Sequence, residues 1–160
     1  MNYLLTLILS KLILLLAFNP LQANQKTVFT QNLHNAAITK VTYSTTGGRG
    51  GNTVSLEITA GNLVYVQGHA GAEKTIKERT SRSLWLSLVR SINVKDLDRI
   101  KSNPGHAMYD GTDITIAVLK GREEHSIVNG NEDILNYKKI KLFTDILEGQ
   151  LNRLGKRIRW

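Results

Sequence analysis

An α+β domain, with an antiparallel sheet covered on one face by two helices in the order ββββαββα, is the fold the chain's patterning predicts. Two observations carry this expectation. Short segments alternate apolar and polar residues and are separated by tight turns, and two longer stretches place apolar residues at three- and four-residue spacing. The hairpin-length connections also exclude a doubly wound fold, which needs helical crossovers between parallel strands.

Residues 37–45 alternate, with Ala37, Thr39, Val41 and Tyr43 on one side. Thr53–Thr59 alternates more clearly through Val54, Leu56 and Ile58, and the turn Ala60-Gly61-Asn62 leads into a β-branched and aromatic run over 63–67. Residues 73–80 carry Ile76 amid alternating charges, which suits an edge strand because charge discourages pairing with other chains. Thr80 and Ser81 are candidate N-caps for a helix over 82–92, where Leu84, Trp85, Leu88, Val89 and Ile92 fall at helical spacing. A short helical turn over 95–100 ends at Ser102-Asn103-Pro104-Gly105. After the turn Asp110-Gly111, residues 113–119 and Glu123–Val128 form a hairpin about Lys120-Gly121-Arg122. Asn129-Gly130-Asn131 then caps a long helix over 132–154, with Leu135, Ile140, Phe143, Ile146, Leu147, Leu151 and Leu154 as its buried stripe and Gly155 as its stop. Trp85, Leu88, Ile116, Phe143 and Leu147 are expected in one core.

The first 23 residues read as a secretory signal peptide. Lys11 precedes an unbroken apolar run over 12–18, and Asn19-Pro20-Leu21-Gln22-Ala23 is a helix-breaking segment ending on a small residue, where cleavage is expected. The alternative is an uncleaved anchor extending back over 3–9. It would put Lys11 in mid-span at a cost of about 2.5–3.5 kcal/mol. The expected location is periplasmic or extracellular. Of 160 residues, removing 23 leaves 137, enough for one domain that buries roughly two-thirds of its unfolded surface. The expected division is a leader over 24–36, one domain over 37–154 and a basic tail over 155–160.

The chain has no cysteine, which excludes disulfides, thiolate catalysis and lipidated cysteine. It carries 21 basic and 13 acidic residues; without Lys11 these become 20 and 13, a net charge of +7. Arg153, Lys156, Arg157 and Arg159 supply four of those seven charges near the end of the chain, where a solvated, frayed terminus is the ordinary reading. The functional alternative is contact with an anionic envelope surface. Export argues against nucleic acid as partner.

Gly47-Gly48-Arg49-Gly50-Gly51 is the most unusual local feature. A phosphate-cradling loop would continue with lysine, serine or threonine and a helix, whereas Asn52 and a strand follow. The cluster therefore reads either as a hairpin connection needing positive φ or as a backbone-rich binding loop presenting Arg49 and Asn52. His34, His69, His106 and His125 have no partner at helical ligand spacing, so neither metal nor cofactor is expected. Asp110, Asp113, Glu123 and Glu124 are carboxylates that would serve acid–base chemistry if the late hairpin brought them together. Otherwise they are turn-flanking solvated charges. No serine sits in a nucleophile elbow. Terminal Trp160, beside Arg157 and Arg159, is either a disordered end or an interfacial anchor.

The run Val41-Thr42-Tyr43-Ser44-Thr45-Thr46-Gly47-Gly48, the helix Leu84-Trp85-Leu86-Ser87-Leu88-Val89 and the segment Tyr109-Asp110-Gly111-Thr112-Asp113-Ile114 resemble a family of small exported bacterial proteins of unknown function. In layout that family is similar to emfourin-like inhibitors of thermolysin-type metalloproteases. The resemblance implies an inhibitory contact through Gly47, Gly48 and neighbouring Arg49. Where such relatives carry a phenylalanine-aspartate-histidine-glycine-type turn and prolines before the last helix, this chain has Ile127-Val128-Asn129-Gly130-Asn131-Glu132-Asp133 and keeps only the glycine. The expected function is a secreted, non-catalytic binding domain, protease-inhibitor-like, with another protein as partner and with Asp110 and Asp113 as further contact residues. The alternatives are an envelope enzyme built on the four carboxylates and an envelope-associated structural protein held by its tail.

Overall fold

The structure, a computed structural model, describes residues 38–48 and 51–159, all of them in the compact unit His34–Trp160. The expected signal peptide and leader, Ala37, His34, Arg49, Gly50 and Trp160 lie outside the described residues. β1 (Ile38–Gly47), β2 (Thr53–Thr59), β3 (Asn62–His69), β4 (Ala72–Arg79), β5 (Thr112–Lys120) and β6 (Glu123–Val128) form one antiparallel sheet in the order β4-β3-β2-β1-β5-β6. The α+β class holds, and the charged strand β4 lies at an edge as its composition predicts.

Register puts the apolar positions on one face. Val41 lies opposite Ile58 and Val118, Tyr43 opposite Leu56 and Ile116, and Leu56 opposite Tyr65. The first strand departs from simple alternation. Ile38 pairs with Lys120 and Lys40 with Leu119, so Thr39 is the extra residue of a β-bulge and donates its hydroxyl hydrogen to the Leu119 carbonyl at 3.3 Å. The bulge lets Ile38 and Val41, three residues apart, both bury. Thr39, which simple alternation puts on the same side as Val41, is exposed as a result.

Ser81 caps α1 (Arg82–Ser91), its hydroxyl oxygen accepting from the Leu84 N–H at 3.2 Å, and Asn93 caps the one-turn helix α2 (Val94–Leu97). The helical layer is more divided than two helices. In place of one helix over 132–154 the chain makes a 3₁₀ turn at Gly130–Glu132, a single α-turn α3 (Ile134–Tyr137), a second 3₁₀ turn at Lys138–Ile140, and only then α4 (Lys141–Gly155). Asp133 caps α3, its carboxylate accepting from the side-chain amide of Asn136 and from the Lys101 N–H, so the helical segment starts at Ile134. The break before α4 lies at Ile140, whose φ of −105° and ψ of 12° leave the helical region. The tighter 3₁₀ turn then brings Ile140 and Phe143 onto one side, and both are buried. Leu88, Ile116, Phe143 and Leu147 belong to a single cluster, with Trp85 half-buried against it.

Candidate functional site

The glycine loop is anchored at its start. Gly47 and Gly48 have φ of 90° and 87°, and a Cβ on Gly47 would lie 2.6 Å from both the Ala107 Cβ and the Gly111 carbonyl oxygen. Glycine is needed here because β1 ends against the turn His106–Tyr109, so these two positions are packed rather than presented. Gly51 and Asn52 are exposed, and the Asn52 side chain meets His69 Nδ1 at 2.7 Å.

The four carboxylates do not converge. Asp113 lies at the start of β5 opposite Thr46, whereas Glu124 and Glu123 lie opposite Leu119 and Lys120 at its far end. Six residues of strand, about 20 Å, separate the two groups. Asp110 is exposed at φ 61°, closing the turn after Tyr109. Asp113 accepts from the Gly105 and His106 N–H groups at 3.1 and 3.0 Å and from the Asn129 amide at 2.6 Å. Desolvation alone would raise its carboxyl, but the hydrogen bonds from Asn129, Gly105, His106 and Ala107 outweigh it and hold the pKa below its ordinary value. Asp113 is therefore a loop staple. Buried Asn129 completes that staple, accepting from the Ile114 N–H and donating to the Asn103 carbonyl, both at 2.8 Å.

The basic end of the chain is docked instead of frayed. Arg153 lies within α4 and pairs with Glu78 of β4, Arg157 reaches the same carboxylate at 2.7 Å, and Ile158 packs against the core. Hydrogen bonding from Arg153 outweighs the opposing desolvation and, with Arg157, holds the Glu78 carboxyl below its ordinary value. Lys74 donates to the Arg159 carbonyl. Lys156 and Arg159 are exposed.

His106 Nε2 meets Glu132 at 3.3 Å, and His125 sits between Asp98 at 2.9 Å and Glu123 at 3.6 Å. Among the described residues, no group of three or more His, Asp or Glu is arranged to hold a metal ion.

A cleft of about 640 Å³ opens where the C-terminal half of α4 passes over the sheet. Tyr43, Thr45, Val54, Tyr65 and Gln67 line its sheet side; Glu148, Leu151, Asn152, Gly155 and Lys156 line its helix side. A smaller hollow of about 110 Å³, sharing Tyr43 and Glu148, extends it toward Tyr137 and Asn131. The two walls approach closely at Gly155, where a Cβ would stand 3.3 Å from the Tyr65 hydroxyl. That hydroxyl donates to Gln67 Oε1 at 3.0 Å. Burial, then Glu148 and Tyr137, raises the pKa of Tyr43. Burial also raises Tyr137, partly offset by its hydrogen bond with Thr144, and burial raises Tyr65. At neutral pH the three phenols are thus protonated donors, flanked by a carboxylate, two amides and an ammonium group. Such a wall orients a polar ligand, while Val54 and Leu151 offer it apolar contact.

Sequence reasoning missed this cleft because Tyr43 and Tyr65 alternate like ordinary core positions. A signal was present at residues 148, 151, 152 and 155, a mixed polar and apolar stripe at helical spacing, with Gly155 read only as a stop. No protein-family model matches the chain and no curated protein matches its sequence.

Proposed function

We propose that the chain is an exported, non-catalytic binding domain whose ligand, a polar segment of another protein, lies in the cleft between α4 and the sheet. One observation carries this reading: Tyr43, Tyr65, Gln67, Glu148, Asn152 and Lys156, from three separate elements, line one open cleft of ligand-binding size. Export rests on the apolar run over 12–18 and the small residue at Ala23. Capture from the producing cell's envelope fraction tests the site, with wild type and Tyr43→Ala/Lys156→Glu as parallel baits. A partner retained by wild type and lost by the variant supports the cleft. A partner held equally by both places binding elsewhere.

A second reading, inhibition of a thermolysin-type metalloprotease, is favoured by the exposure of Gly51 and Asn52 at the hairpin tip. Assay of the chain against a panel of such proteases tests it. Absence of inhibition at micromolar concentration removes this reading and leaves the cleft.

A further inference from the structure

The smaller hollow that extends the cleft has a composition of its own. At about 110 Å³ it is too small for a chain segment and suits one side chain. Ile114, Ile116 and Ile127 give it aliphatic surface, Tyr43 and Tyr137 add two phenol rings, and Glu148 carries the one full charge among the residues that line it. The Glu148 side chain is exposed, and its carboxylate makes no hydrogen bond or ion pair among the described residues. Its charge is felt at both phenols and at Lys141, but the Lys141 ammonium is held by the two Asp145 carboxylate oxygens at 2.6 and 2.8 Å. Two acids against one cation leave this end of the cleft negative. Lys156 lines the other end, eight residues further along the chain and so about 12 Å away, beyond the roughly 8 Å over which exposed charges act at physiological salt.

The unpaired carboxylate selects what the hollow takes. A ligand seated against Tyr43 and Tyr137 strips water from Glu148, and an apolar or acidic side chain would leave that charge without a compensating partner. A basic side chain supplies one. Its methylene stem lies along the isoleucines while its head makes a charge-assisted hydrogen bond to Glu148. The two rings attract the same head, because the face of a phenol ring is electronegative. We infer that the hollow receives a lysine or arginine side chain of the partner segment, its stem against Ile114, Ile116 and Ile127 and its cationic head at Glu148 between Tyr43 and Tyr137. Given the cleft as binding surface, on which this assignment rests, the bound segment must carry a basic residue at that end. The chain's overall positive charge opposes such a segment only at long range, where salt screens it.

Capped single residues test the subsite directly. Nα-acetyl-lysine methylamide and its arginine and norleucine counterparts are titrated at millimolar concentration into the isotopically labelled full chain, with amide chemical shifts read by NMR. The expected result is saturable shifts at Tyr43, Tyr137 and Glu148 with the lysine and arginine probes and none with norleucine, which has the stem without the charge. Glu148→Gln should weaken the basic probes about fivefold, the upper end of what a partly exposed ion pair contributes. Glu57→Gln, which lies between buried Leu56 and Ile58 and so on the sheet's other face, should leave them unchanged. No shift with a basic probe, equal shifts with norleucine, or basic probes that bind Glu148→Gln as tightly as wild type would overturn the inference. If Tyr43→Ala/Lys156→Glu then still abolishes capture of the partner, the cleft stands and only the basic residue is withdrawn. Capture that is indifferent to those substitutions as well would overturn both.

Discussion

Asn129 ties two parts of the fold together. It is 3% exposed, stands at φ 50°, and its side chain joins the start of β5 to the loop after α2 through Asp113 and the Asn103 carbonyl. Replacing it by alanine leaves three partly buried hydrogen bonds unmade. Asn129→Ala should cost about 2–3 kcal/mol in urea denaturation, whereas an exposed site such as Asn152→Ala should change stability by less than about 0.5 kcal/mol. Asn129→Asp sets a second carboxylate against Asp113, and its destabilisation should shrink as pH falls and one of the pair is protonated. The turn roles of Asp110-Gly111 and Asn129-Gly130 were legible, since such pairs punctuate strands. What Asn129 bonds to was not, because its partners lie 16 and 26 residues away and only the tertiary fold brings them together.

At the scale of elements, the strands and α1 were readable because alternation and helical spacing are local signals. The late helix was over-read: its apolar spacing continues through residues 134–142, but the backbone tightens into a 3₁₀ turn at Lys138–Ile140 and leaves the helical region at Ile140. Phe143 is nonetheless fully buried, so Phe143→Ala should cost about 3–5 kcal/mol, read as a lowered denaturation midpoint. The docked C-terminus was invisible because Glu78, on a distant strand, supplies its anchor. The folded pKa of Glu78 lies below its ordinary value of 4.5, so its contribution is complete above that value and is lost as pH falls through the depressed folded pKa. Hydrogen exchange of residues 156–159 should accelerate over that acid window in wild type. In Glu78→Gln it should be fast at neutral pH as well. The global effect should stay within about 1 kcal/mol, because these ion pairs are partly exposed.

Across the described residues, the arrangement is one sheet with a helical layer packed on it, and the cleft is where that layer leaves sheet side chains half covered. Tyr43, Tyr65 and Tyr137 all have raised folded pKa values. Their contribution to stability is therefore complete below the ordinary value of 10.0 and is lost as pH rises above it through the folded values. Ultraviolet titration should show a phenolate component above pH 10 that moves down to the ordinary range in urea, and Tyr43→Phe should reduce its amplitude. The central claim is that the cleft is the binding surface, and site-directed photo-crosslinking in the producing cell's envelope tests it most directly. A crosslinker on Asn152→Cys should yield a discrete adduct that Tyr43→Ala abolishes, with none from Ser55→Cys. An adduct from position 55 or from Asn52→Cys, and none from position 152, would contradict it.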